Sequence, residues 1–263
     1  MDLKSFILII IFACFPKLEA QERSFDLLAD DFYGVDDFEA VYYSFNNALY
    51  KTVEGKKTQF YDIQLGDLTY VDLINPLKVL LFYKDTQTVV LLDNRLNESE
   101  RIILSNIKPY RYIEHVRLAG ERRLWLYDLD QNRVQLYNYI NNTVIVSTPS
   151  LKINVENLHT DYNFCHIQAA DQIQSFNSYG SRTHVLKLDA TDRVAYDFER
   201  LVVIHENDMN LYGFDKEFRF RESEKTNTLI PIMDIKSLYL KAGKLYLWNG
   251  KKVQVYLINP EKK

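Results

Sequence analysis

Five histidines, two cysteines and a spread of carboxylates are the residues of this chain whose types suit catalysis or metal binding. The histidines are His115, His159, His166, His184 and His205. No two are spaced H-x-x-x-H beside a carboxylate, the pattern that sets imidazoles around zinc. His166 and His184 fall in one strand-turn-strand unit and can face each other across a hairpin; otherwise the five are scattered structural residues. Cys165 stands beside His166, but neighbours along a strand point to opposite faces. A buried, inert thiol is therefore the plainer reading, and a Cys-His dyad the sharper one. Asp128-Leu129-Asp130-Gln131-Asn132 begins like a calcium loop, yet the glycine and glutamate that complete an EF-hand site are missing, and the same residues favour a hairpin turn. Asp30, Asp31, Asp36, Asp37 and Glu39 form an acidic cluster that is either solvated surface or a docking site for a cation or partner. No G-x-S-x-G, Walker A or dinucleotide glycine motif occurs. No catalytic residue, metal or cofactor is assigned on these grounds. A glycosidase-type carboxylate pair, which depends on separation in space, stays open.

The elements that would position such residues are strands. The chain carries 19 Tyr and 15 Phe, types that cover a pleated, half-buried surface. Glycine is scarce, at 8 residues, so the turns must use Asn and Asp, as at Asn46-Asn47, Asp93-Asn94 and Asn141-Asn142. Sustained helical periodicity is absent, apart from one turn's worth at Val155–Leu158. Six strand-turn-strand units can be stacked, over residues 39–63, 68–97, 113–141, 163–190, 193–218 and 235–260. The third and sixth match best: LWLYDLDQNRVQLYN lines up with LYLWNGKKVQVYLIN. A fourth strand can follow some units, at Arg101–Leu104, Thr143–Val146 and Phe218–Phe220. Residues 21–38 can supply a strand that closes a ring against the last unit and so removes open edges.

The first twenty residues read as a secretory signal peptide: Lys4, the apolar run Phe6–Ala13, a break at Pro16 and a small residue, Ala20, before Gln21. The alternative is a lipid anchor at Cys14, after Ile11-Phe12-Ala13. Cleavage after Ala20 leaves Cys165 without a disulfide partner, and residues 21–263 form one domain. No segment is apolar enough to cross a bilayer. The net charge of −4, with both signs interspersed, argues against a nucleic-acid partner.

The aromatic strands, polar turns and Leu-Tyr-Leu-Trp pattern over residues 39–260 resemble the β-propeller superfamily, in the degenerate-repeat form of exported bacterial proteins. The resemblance implies an all-β, single propeller. Four strands and about 40 residues make a blade, so six blades fit, and uneven spacing leaves five or seven open. It also implies a binding or scaffold protein of the periplasm or outer membrane, with protein partners in the envelope and a role in an assembly, secretion or uptake complex. The alternative is a propeller hydrolase or lyase acting on glycans or peptides. Trp125 and Trp248, read at equivalent places in the third and sixth units, are either blade core or residues lining one face of the ring.

Overall fold

The computed structural model describes residues 21–190, 192–206, 208–223 and 234–258. The expected signal peptide, its cleavage point and Cys14 lie outside these residues.

Strand β1 (Gln21–Asp26) comes first and joins the last sheet. Blade 1 is β2 (Asp31–Val35), β3 (Val41–Phe45), β4 (Ala48–Val53) and β5 (Lys56–Phe60). Blade 2 is β6 (Tyr70–Asp72), β7 (Val79–Tyr83), β8 (Thr88–Leu92) and β9 (Glu98–Ile103). Blade 3 is β10 (Ile113–Leu118), β11 (Arg123–Asp128), β12 (Arg133–Asn138) and β13 (Thr143–Ser147). Blade 4 is β14 (Asn157–Thr160), β15 (Phe164–Ala169), β16 (Gln172–Asn177) and β17 (Arg182–Lys187). Blade 5 is β18 (Arg193–Asp197), β19 (Arg200–His205), β20 (Asp208–Phe214) and β21 (Phe220–Glu222). Blade 6 is β22 (Ser237–Lys241), β23 (Lys244–Trp248) and β24 (Lys252–Leu257), with β1 paired antiparallel to β24 as its outer strand. The N-terminus therefore closes the last blade, as its sequence implied.

The inner strands touch in a closed cycle: β2 with β6, β6 with β10, β10 with β14, β14 with β18, β18 with β22, and β22 with β2. Six buried apolar clusters follow, one for each pair of neighbouring blades. Valine, leucine and aromatic side chains on both faces of the middle strands fill them. β7 and β8 are buried at every position, which is why they read as unbroken apolar runs. Among the described residues the blade 4–5 cluster has the fewest fully buried members, Ile173, Leu201, Val203 and Phe220.

Asparagine takes the turn role that the scarcity of glycine demanded. Asn46, Asn47 and Asn142 adopt positive φ, and the Asp93 carboxylate accepts the backbone N–H groups of Arg95 and Asn97. Two expectations change. Val155–Leu158 is not a helical turn: Asn157 begins an inner strand, pairing antiparallel with β15. Units 1 and 4 of the sequence repeat start at the second strand of their blades, because the first strands, β2 (DFYGV) and β14 (NLHT), are short and lack clean alternation. Among the described residues the only helical segment is the single turn Leu104–Asn106.

Candidate functional site: the central channel and its mouth

The inner strands enclose a channel of about 230 Å³. Arg117 of β10 reaches into it with its guanidinium carbon 3.2 Å from the centroid of the Tyr70 ring. Its donors serve three neutral acceptors: Nε to the Leu158 carbonyl (2.9 Å), Nη1 to the Val116 carbonyl (2.8 Å) and Nη2 to Asn157 Oδ1 (2.6 Å). No carboxylate among the described residues lies within 4.0 Å of it, so its charge is met by carbonyl dipoles and an aromatic face. Across the channel, Tyr239 of β22 lies flat on the backbone of β2. A Cβ at Gly34 would sit 2.6 Å from three atoms of that ring, and Gly34 has a φ of +129°. Glycine is thus required there both for close approach and for backbone conformation. Burial, reinforced by Tyr70, Asp72 and Asp197, holds the Tyr239 hydroxyl well above its ordinary range.

The inner strands end at one mouth, where carboxylates gather. Asp72 accepts N–H bonds from Ile74 (3.0 Å) and Leu118 (2.8 Å), and burial raises its pKa. Asp197 accepts the Ala242 N–H at 2.8 Å, and burial raises it too. Lys241 lies 3.0 Å from Asp37, 4.0 Å from Asp197, and 5.8 Å from the centre of the Phe198 ring. Asp161 caps its own turn through Asn163 and Phe164 and takes the Tyr196 hydroxyl at 2.5 Å, which ties blade 4 to blade 5.

Around this mouth the turns carry aromatics. Phe198 is 43% exposed and Phe218 is 51% exposed. Both sit on left-handed backbone, at φ +29° and +57°. Tyr162 meets Phe198 at 5.9 Å, and Phe164 meets Phe218 at 5.4 Å, so the patch runs across the blade 4–5 junction.

The residues singled out from sequence are distributed differently. Trp125 and Trp248 are both buried. The Trp125 indole donates to the Asp161 carbonyl at 3.0 Å, and that of Trp248 to the Leu27 carbonyl at 3.1 Å. They are not equivalent: the hairpins set Arg123 level with Lys244, so Trp125 matches Tyr246 and Trp248 matches Tyr127. Each fastens its blade to the next, from opposite ends of the same face. Cys165 is buried against blade 3 and burial raises its thiol, whereas His166 packs against Tyr196 of blade 5. In the Asp128 turn, Asp128 accepts the Gln131 N–H, Asp130 accepts the Tyr112 N–H, and Asn132 takes the Tyr127 hydroxyl, so the three side chains serve separate partners. The acidic cluster is split between the two ends of β2. Asp36 is a buried cap bonded to Tyr42 and 3.3 Å from Lys51, Asp37 lies at the channel mouth, and Asp30 holds the Asn46 N–H at the other end. Among the described residues Asp189, Asp192 and His205 bring ligand atoms within 4.8 Å, but His205 Nδ1 is already 2.7 Å from Asp192, which raises its pKa. Arg117, Tyr70, Asp72 and Tyr239 were missed; the signal available was Gly34, a glycine inside a strand.

Solved structures share this architecture. A chain of the mitotic checkpoint complex aligns over 98% of this chain and 100% of its own, at 11% identity and a TM-score of 0.57. The chain is a six-bladed β-propeller. Streptogramin B lyase aligns over 91% of this propeller and 88% of its own chain, at 11% identity and a TM-score of 0.58. PorZ, described as an essential surface component of the type-IX secretion system of Porphyromonas gingivalis, aligns over 90% of this chain and 38% of its own, at 13% identity and a TM-score of 0.52. No protein-family profile and no curated protein sequence matches the propeller. Identities this low speak to fold alone.

Proposed function

We propose that this propeller is an exported, non-enzymatic binding or scaffold subunit of the bacterial cell envelope. It docks a protein partner of an outer-membrane assembly, secretion or uptake complex on the turn face around the channel mouth. The observation that carries the reading is the backbone at Phe198 and Phe218. A left-handed conformation costs an L-residue about 1–2 kcal/mol. Glycine or asparagine would relieve this, and an exposed phenylalanine gains little from water. Strain of this kind persists where a side chain is needed in place, and large aromatics dominate protein-binding hot spots. The likeness to PorZ is consistent with an envelope role. Among the described residues no helix is long and apolar enough to cross a membrane.

A second reading, a hydrolase or lyase, draws on Asp72 and Asp197, whose carboxyls are raised by burial inside the channel. One experiment separates the two. The tagged protein is recovered from mildly solubilised envelopes as wild type, as Phe198→Gly with Phe218→Gly, and as Asp197→Asn. Binding predicts a stoichiometric partner that the double-glycine variant loses and Asp197→Asn keeps. In the double variant relief of backbone strain opposes the loss of the Tyr162 and Phe164 ring contacts, so its stability should stay within about 2 kcal/mol of wild type, and loss of the partner is then not loss of the fold. A wild-type protein recovered alone, together with turnover of a glycan or peptide panel abolished by Asp197→Asn, would transfer the assignment to catalysis.

A further inference from the structure

Blade 4 turns an apolar face toward blade 3: Cys165, Ile167 and Phe176 enter a buried cluster shared with Trp125 and Leu151. Gln174 interrupts that face. It stands two residues before Phe176 on β16, so it points the same way, and it is 8% exposed. Among the described residues nothing hydrogen-bonds its side-chain amide. A buried amide without a partner is costly, and one that persists calls for an explanation.

Gln174 lines a groove of about 560 Å³ between residues 149–152, which connect blades 3 and 4, and the β16–β17 hairpin. Sites for small molecules occupy about 300–1,000 Å³. One end of the groove is set by Gly180, at φ +78°, where a Cβ would lie 2.6 Å from Val146 and 3.2 Å from the Ser147 carbonyl. Any larger residue there would push the hairpin away from blade 3. Two cations line the same space. Arg182 lies opposite Phe176 in the β16–β17 register and therefore on the same side of the sheet, and Lys152 belongs to the connection. Neither has an ion-pair partner among the described residues, whereas Lys187, further along β17, lies 3.6 Å from Asp171. No carboxylate lines the groove, in a chain whose net charge is −4.

We infer that this groove binds a small organic carboxylate with an apolar body. The Arg182 guanidinium has the fork geometry that pairs with a carboxylate, and Lys152 adds a second positive charge. The Gln174 amide offers a donor and an acceptor to a neutral polar group beside that carboxylate. Leu151 and Phe176 supply an apolar floor. Inorganic phosphate fits less well, because it favours concave nests of free backbone N–H groups. Here the N–H groups of Leu151 and Gly180 already go to the Asn132 and Asn177 carbonyls, and that of Ser181 to Asn177 Oδ1. None of the groove's residues lines the channel, so the inference stands independently of the function proposed above.

The test is a ligand-observed NMR titration at low ionic strength. The probes are N-acetyl-leucine, N-acetyl-leucinamide, glucuronate and inorganic phosphate. The proteins are wild type, Arg182→Gln, Gln174→Leu and, as a control on a cation already paired, Lys187→Gln; urea unfolding checks the fold of each. Wild type should bind N-acetyl-leucine about tenfold or more tighter than its amide, and Arg182→Gln should lose about as much. Added salt should weaken this binding, and Lys187→Gln should retain it. Gln174→Leu should bind less tightly yet unfold at higher urea, since it removes an unpartnered buried amide; a merely structural glutamine would do the reverse. Failure of wild type to bind N-acetyl-leucine overturns the inference, as does equal binding of acid and amide, or full affinity in Arg182→Gln. Tighter binding of glucuronate or phosphate also overturns it, and assigns the groove to sugar acids or to phosphate.

Discussion

Lowering the pH should loosen this ring at one seam. Register places His159 opposite His166, His166 opposite Ser175, and Ser175 opposite His184, so a row runs across one face of blade 4 from channel to rim. His166 packs against Tyr196, Phe214 and Phe220 of blade 5, and its Nε2 is buried without a hydrogen-bond partner. Burial holds His159 down to about 4 and His166 well below its ordinary value of 6.5. Burial also lowers His184, with Arg221 and Arg219 beside it acting the same way and Asp215 opposing. A histidine depressed in the fold contributes stability above its unfolded pKa, and that stability is lost as pH falls below it. The slope is about 1.4 kcal/mol per pH unit for each group. For His159 and His166, moving from about pH 7.5 to about pH 5 should remove about 2 kcal/mol each. Carboxylates lowered in the fold, such as Asp62 and Asp93, lose their contribution below this window, while Asp72 and Asp197, raised by burial, act with the opposite sign. The assay is therefore a difference: urea unfolding at both pH values for wild type and His166→Gln, whose amide can still bond Ser175. The variant should lose about 2 kcal/mol less than wild type across the window. Equal pH dependence in the two proteins would refute the reasoning.

Two substitutions probe the channel and its frame. Gly34→Ala forces a methyl into the Tyr239 ring on backbone at φ +129°, so it should destabilise by about 2–4 kcal/mol in urea unfolding and displace Tyr239, read as altered tyrosine absorbance. Trp125→Phe removes the donor to the Asp161 carbonyl while keeping an aromatic ring in the blade 3–4 cluster, so it should cost about 1–3 kcal/mol, visible as a lower urea midpoint with an unchanged slope.

The blades were legible because their middle strands obey local rules: β7, β8, β11 and β23 carry apolar and aromatic runs, and Asn or Asp occupies their turns. The inner strands were not, and they build the site. β2 carries Gly34 where Tyr239 must approach, and β14 carries Asn157 and His159 toward a polar channel, so neither shows the alternation of a strand with one wet face. Arg117 read as one charge among many, since nothing local says that it will stack on Tyr70, far away in sequence. The histidines looked scattered because the row exists only once four strands are in register.

The six interfaces of the ring are unequal, and the inequality coincides with the candidate binding face. Blades 2 and 3 share the largest buried cluster, fourteen side chains that include Leu80, Phe82 and Tyr137. Among the described residues blades 4 and 5 share four, with six partly buried apolar side chains packed against them, an uncharged histidine, and a fan of phenylalanines that reaches the surface at Phe218. Segments with few buried apolar contacts open at lower free energy than the rest of a fold. Because the ring is closed, one weak seam does not unfold it; the other five interfaces and the β1–β24 pairing hold the blades in place. The junction that can most readily shift is thus the one displaying Phe198 and Phe218. A partner that grips both would bridge blades 4 and 5, and its binding should reduce hydrogen exchange first in β15 and β19, not in β7 and β8, where the core is already complete.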